Sequence, residues 1–358
     1  MKRSTDRILT THVGSLTRSA EVLEGILKKV SGQPRDEAAF AEHVRKGVHE
    51  NVRMQAEVGI DIPSDGEVGK PSFAGYVTER LGGLTATTEA PKTSDNPMNY
   101  PILNEEFPGF MAQYNAMYRT IWMPPAVPRD LVAAAVERTR NERVIVTEKI
   151  TYQGQTEIQQ DLAVYKEALA GLAFEEAFVP AATPSRSDED PDHVYPSEQA
   201  YLYDVADAMR EEYKAIVDAG LVLQIDDPAI AENFDQINPE PTPEAYRRFT
   251  MPKVEALNHA LRGLPQDRIR FHLCWGSWHG PHTTDVPMSV AITPDGAQGR
   301  PSSVNTRCRP RSAAAANRAS RSRLAGWQWG CATAQLTALN RARSSRSNTA
   351  ASMDSLIP

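Results

Sequence analysis

Leu221-Val222-Leu223-Gln224-Ile225, running into Asp226-Asp227-Pro228, is the stretch that sets the fold class. Five residues, four of them aliphatic, bounded by a glycine before and a proline shortly after, read as a buried strand. Ahead of it Ser197 stands as an N-cap, Leu202, Val205, Met209, Ile216 and Val217 recur at helical spacing, and Gly220 takes the position just past the helix end. Behind it Thr242-Pro243-Glu244, a cap followed by a first-turn proline, opens a second helix that runs to Gly263. The strand Ile269-Arg270-Phe271-His272-Leu273-Cys274 follows at once. Strand and helix alternating in this way predict an α/β fold with a parallel sheet and crossover helices.

The pattern extends toward the N-terminus. Arg7 to Leu16 has strand character and ends in Gly14-Ser15-Leu16, Asp36 to Val58 is a long helix stopped by Gly59, and Ile60-Asp61-Ile62-Pro63 is a short strand. From Thr85 to Asp130 proline, asparagine and aromatic residues break the periodicity, which predicts an elaborated loop with short helices. Regularity returns at Arg143-Val144-Ile145-Val146-Thr147 and again from Ala173-Phe174 to Ala182. A chain of 358 residues and 39.5 kDa has the length of one α/β barrel with insertions.

Mean hydropathy of -0.46 and the lack of an apolar run near the roughly 20 residues of a membrane span argue for a soluble protein with no membrane partner. Met1-Lys2-Arg3-Ser4-Thr5-Asp6-Arg7 is charged without an apolar segment behind it, so a cytoplasmic location is expected, with Cys274, Cys308 and Cys331 reduced. A net charge of -7 argues against a nucleic-acid partner held by general electrostatics.

That average hides a break at Ser289. Residues 289–358 carry ten arginines against Asp295 and Asp354, with no lysine, glutamate, histidine, phenylalanine or tyrosine. Residues 1–288 therefore read as one α/β domain, and 289–358 as an Arg/Ser/Ala-rich tail that is either disordered or translated out of frame.

Four clusters could carry chemistry. In Phe271-His272-Leu273-Cys274 the imidazole and the sulfur project from the same face of a strand, which suits either one zinc ion or simple core filling. Further ligands would have to come from residues such as His279, His282 and Asp285. Asp226-Asp227-Pro228 sets carboxylates at a strand's carboxyl end, where barrel enzymes build their sites; Asp226 suits a substrate ammonium group, Asp227 equally a helix N-cap, and Pro228 predicts an extended loop. Asp65-Gly66-Glu67 is another acidic strand end, and Thr11-His12-Val13-Gly14-Ser15 combines a tight turn with a hydroxyl donor.

In order and spacing, these four motifs resemble the catalytic domain of cobalamin-independent methionine synthase, and more closely the short bacterial members of that family, a group that includes the epoxyalkane:coenzyme M transferases. The resemblance covers residues 7 to 288. It implies a (β/α)₈ barrel and a zinc-dependent thiol alkyltransferase. By motif, His272 and Cys274 would be two zinc ligands, Ser15 and the Val13 backbone would hold an amino-acid carboxylate, and Glu67 and Asp226 would hold its ammonium group. Homocysteine would be the acceptor and 5-methyltetrahydrofolate the methyl donor. The alternative within the same chemistry, alkyl transfer from an epoxide to coenzyme M, would instead call for a cation near the acceptor's sulfonate, such as Arg18.

The chain departs from the family after the sixth strand. No glutamate follows Glu255 and no histidine follows His282, so the later zinc ligands and the proton-donating histidine have no counterpart. The last two strands are therefore expected to be missing, leaving an incomplete barrel and an inactive or poorly folded product.

Overall fold

Asp36, Ser197 and Thr242 each accept a hydrogen bond from a backbone N–H three residues on, from Ala39, Ala200 and Ala245. Each begins a helix where the sequence predicts one. The computed structural model describes residues 1–73, 75–89, 101–118, 127–186, 193–234, 236–237, 239–274, 281, 283 and 285–286. In chain order its elements are α1 (Ala20–Val30), α2 (Glu37–Glu57), α3 (Gly75–Arg80), β1 (Leu81–Thr87), α4 (Pro101–Glu106), α5 (Pro108–Tyr118), α6 (Arg129–Asn141) and β2 (Arg143–Tyr152). Then come α7 (Gln155–Leu169), β3 (Phe178–Ala182), α8 (Glu198–Asp218), β4 (Val222–Asp226), α9 (Ala229–Glu232), α10 (Pro243–Leu261) and β5 (Ile269–His272). The tail from 289, with Cys308 and Cys331, lies outside the described residues, as do His279 and His282.

β3, β4 and β5 pair in parallel, with Gln224 between Pro180 and Arg270 and Asp226 between Ala182 and His272. α8 and α10 are the crossovers. Every residue of β4 is buried, which explains its nearly continuous apolar sequence. Alternation sends Val179, Ala181, Leu223, Ile225, Ile269 and Phe271 into the main core with the apolar stripes of α8 and α10. The opposite face carries Phe178 and Val222, which pack with Ile62, and then Gln224, Asp226, Arg270 and His272.

Two irregular segments continue the sheet beyond β3. The Phe178 N–H donates to Pro63 O at 3.1 Å, and the Asp61 and Ile62 N–H groups donate to Thr10 O. The predicted strands Arg7–Leu16 and Ile60–Pro63 are thus reduced to one parallel bridge, Thr11 to Ile62. The reason is a competing side chain: the Asp61 carboxylate takes the Thr10 N–H at 2.6 Å and the Thr10 hydroxyl at 3.0 Å, replacing ladder partners.

The sheet nevertheless curls. Arg270 Nη1 and Nη2 each lie 3.3 Å from the Thr11 hydroxyl, although Thr11 sits four segments away in lateral order. Laid flat, four spacings of about 4.8 Å would put them ~19 Å apart, beyond an arginine's reach. No closed barrel is formed among the described residues.

β1 and β2 form a separate antiparallel hairpin, not foreseen in the sequence, in a region where the loop was expected to begin at Thr85. Its register shifts between Gly82 and Leu84, where Gly83 adopts φ 87°. β2 packs on α8, and a buried polar cluster joins the two. Arg80 Nη1 donates to Glu212 at 2.8 Å and the guanidinium also reaches Asp161. Tyr76 and Tyr152 hydroxyls donate to Glu212 at 2.8 and 2.9 Å. Burial would push the Glu212 carboxyl up, but Arg80, Lys70 and the hydrogen bonds hold it below its usual range. No described helix is long and apolar enough to cross a membrane.

Candidate active site at the carboxyl ends of the parallel segments

Ser15, Glu67, Asp226 and His272 all follow or end an extended segment on the same side of the sheet. Glu67 is buried and is the one non-glycine residue with positive φ (53°) among those described. Such a backbone persists only where its surroundings enforce it. Here Asp65 Oδ1 accepts the Glu67 N–H at 3.0 Å, Gly66 O accepts from the Leu16 N–H at 3.0 Å, and the preceding Gly66 also has positive φ (72°). A Cβ on Gly66 would sit 2.8 Å from Asn51 Nδ2.

Arg18 fastens this loop to the first. Its Nη2 donates to Ser15 Oγ (3.1 Å), Glu67 O (2.8 Å) and Lys70 O (3.0 Å), and its Nε to Val68 O (3.0 Å). Burial pulls its pKa down against the attraction of Glu67 and Asp65. Ser15 Oγ in turn donates to Glu67 Oε2 at 2.6 Å. Val13 lies half-buried between His12 and Gly14, and the His12 ring contacts Gly14 O at 2.9 Å. Burial lowers the His12 pKa. With Nε and Nη2 turned to backbone carbonyls and Ser15, Arg18 clamps the two loops together.

On the other side, Asp226 Oδ1 receives Gln224 Nε2 at 2.7 Å and His272 Nδ1 at 2.9 Å. Burial by itself lowers the His272 pKa, and the hydrogen bond and charge of Asp226, with a smaller pull from Cys274, more than reverse this. β5 ends at His272, so Cys274 lies two residues past the strand and not within it as expected. Asp227 takes the structural role: its Oδ1 accepts the Ile230 N–H at 3.3 Å and its N–H donates to His272 O at 3.0 Å. Pro228 does not lead into an extended loop. It has helical φ and ψ (-78°, -23°) and caps the short α9, because a proline nitrogen has no hydrogen to leave unsatisfied at a helix start.

The residues singled out in the sequence thus form two pairs, Ser15 with Glu67 and Asp226 with His272. A metal-binding histidine commonly has its other nitrogen fixed by a carboxylate, and His272 is fixed in this way by Asp226. His272 and Cys274 fit two positions of a mixed nitrogen and sulfur zinc site. No group of three or more potential metal ligands clusters among the described residues. Sequence reading missed Gln224 and Arg270 as parts of the site. Their signal was polarity: a glutamine and an arginine inside short, mostly apolar strands, two positions before Asp226 and His272 and so on the same face.

No family model matches the chain. It is similar to 5-methyltetrahydropteroyltriglutamate–homocysteine methyltransferase of Thermotoga petrophila, 21% identical over 273 residues, which is 75% of this chain and 30% of that protein. It is also similar to a methionine synthase of Sulfurisphaera tokodaii, 22% identical over 75% of this chain and 62% of that one. A solved B12-independent methionine synthase from Shewanella sp. W3-18-1, in complex with selenomethionine, has 17% identity and a TM-score of 0.45, covering 75% of this chain and 61% of its own. The matched stretch spans less than two thirds of the length of each of these proteins.

Proposed function

Taking as premise that the chain is a distant relative of the cobalamin-independent methionine synthases, we propose that its site binds a thiol-bearing amino acid for S-methylation. Homocysteine is the acceptor and 5-methyltetrahydrofolate the methyl donor in this reading. The observation that carries it is the Asp226–His272 pair at the ends of adjacent parallel strands, with Cys274 two residues on.

Glu67 Oε2 and Asp226 Oδ2 receive the substrate ammonium group. Asp226 can serve both partners because its Oδ1 alone takes Gln224 and His272. The Ser15 hydroxyl, which accepts from Arg18, turns its proton from Glu67 to the substrate carboxylate, joined by the Val13 backbone. His272 and Cys274 are two zinc donors, and bound zinc supplies the thiolate form of the acceptor sulfur at neutral pH. The sequence has no glutamate after Glu255 and no histidine after His282, so zinc and thiol binding are expected to outlast turnover.

Zinc per purified chain and calorimetric homocysteine binding, in the natural protein and Cys274→Ser, test this reading. About one zinc per chain, lost in the variant together with thiol binding, is expected. Zinc near zero in both overturns the metal assignment.

A further inference from the structure

We infer that Gln224 and Arg270, buried beneath the site, are positioning residues that hold the Asp226 carboxylate in the orientation that fixes which nitrogen of His272 is presented at the strand end. Both are inaccessible to solvent, at 0% and 1% exposure, and the polarity of their hydrogen bonds runs one way only. An arginine guanidinium has donors and no acceptor. Arg270 Nε meets the Gln224 side chain at 2.7 Å, so the amide oxygen must face Arg270. The amide nitrogen is thereby turned to Asp226 Oδ1 at 2.7 Å. Asp226 Oδ1 then accepts twice, and the second donor must be the His272 Nδ1–H at 2.9 Å. A ring with its proton on Nδ1 carries its lone pair on Nε2.

Arg270 is itself fixed from two sides. Its guanidinium carbon lies 3.5 Å from the centre of the Phe178 ring, and its two terminal nitrogens point to Thr11 Oγ1. The path from Thr11 through Arg270, Gln224 and Asp226 to His272 joins the N-terminal segment to β5 and β4, the two ends that the curl brings together. An arginine in that place is costly: burial lowers its pKa to about 10. A merely structural role would be filled as well by apolar side chains of similar volume.

This inference rests on the zinc reading only for its consequence, metal affinity; the tautomer can be read without metal. Long-range ¹⁵N–¹H correlation spectra of the metal-free full chain report it, with His272 assigned by its loss in His272→Gln. Gln224→Glu keeps an acceptor for Arg270 but offers Asp226 no donor. A Gln224→Met/Arg270→Met double variant removes the path without leaving one buried partner alone, and covers the case in which the first variant does not fold.

The natural chain is expected to hold the proton on Nδ1, and both variants to give a mixture. Zinc affinity, read by competition with a chelator, should fall by about 10- to 100-fold. A tautomer change in a chain that never binds zinc would uphold the positioning role and overturn only the metal reading. An unchanged tautomer in both variants, or in whichever one folds, would overturn the inference.

Discussion

The Ser15 hydroxyl donates to Glu67 at 2.6 Å across 52 positions of sequence, and the residue that accepts it is held in a left-handed backbone conformation. A strained residue joined to an exposed hydroxyl is a feature expected of a binding loop rather than of a core. Replacing Glu67 with glycine relieves roughly 1 kcal/mol of backbone strain and removes the carboxylate. We expect the urea midpoint to stay level or rise while homocysteine binding, followed by calorimetry, is lost. A loss of more than about 2 kcal/mol in stability would instead make Glu67 a structural residue.

Glu212 should be among the most costly positions in the molecule. Its side chain is 1% exposed and pairs with Arg80, itself 8% exposed. Glu212→Ala leaves Arg80 buried beside Asp161 alone and should destabilise the chain by about 3–5 kcal/mol in urea unfolding. Tyr76→Phe removes one donor to Glu212 and one acceptor for the Ala182 N–H, and should cost less, about 1–3 kcal/mol. Equal effects of the two variants would contradict the central place given to the ion pair.

Gly83→Ala probes the hairpin bulge. At φ 87°, an added Cβ would lie 2.7 Å from the carbonyl oxygens of both Glu148 and Lys149. The backbone of β2 cannot give way as a side chain could, so a loss of about 2 kcal/mol or more is expected. Unaltered thermal unfolding of this variant would show that β1 and β2 do not keep this register in solution.

Asp61 ties the N-terminal segment down through Arg7, at 2.7 and 2.5 Å, and through Thr10. The Arg7 hydrogen bonds, followed by those of Thr10, hold its carboxyl well below the usual range. A depressed carboxylate contributes its stabilisation in full above the unfolded pKa, about 4, and loses it as pH falls toward the folded value. Proteolysis within residues 1–12 should therefore quicken as pH drops below about 4, with an acid-active protease. Asp61→Asn should show the faster cleavage above about pH 4, with the two chains converging as pH falls below it. Cleavage that does not change with pH in the natural chain would remove Asp61 as the anchor.

Much of the architecture was legible because it is written in short-range chemistry. The caps at Asp36, Ser197 and Thr242 and the apolar run before Asp226 depend on neighbours within a few positions. What was not legible depends on distant partners. The stretch from Arg7 to Leu16 has strand composition, yet a carboxylate from Asp61 takes over its hydrogen bonds. The antiparallel pairing of Leu81–Thr87 with Arg143–Tyr152 spans a long insertion and leaves no local mark. In the site, spacing suggested His272 and Asp226 separately, but their mutual contact, and the role of Gln224 beneath them, emerge only from strand register.

Thr11 reaches Arg270 across 259 positions of chain. A ribosome working at about 5–20 residues per second takes roughly 13–50 s to make that interval. Throughout that time the first segment exists without the side chain that anchors its hydroxyl, and the sheet has no partner to curl toward. Closure of this edge of the sheet therefore cannot begin until residue 270 has been made, and the waiting N-terminal segment is the part most exposed to chaperones and proteases until then.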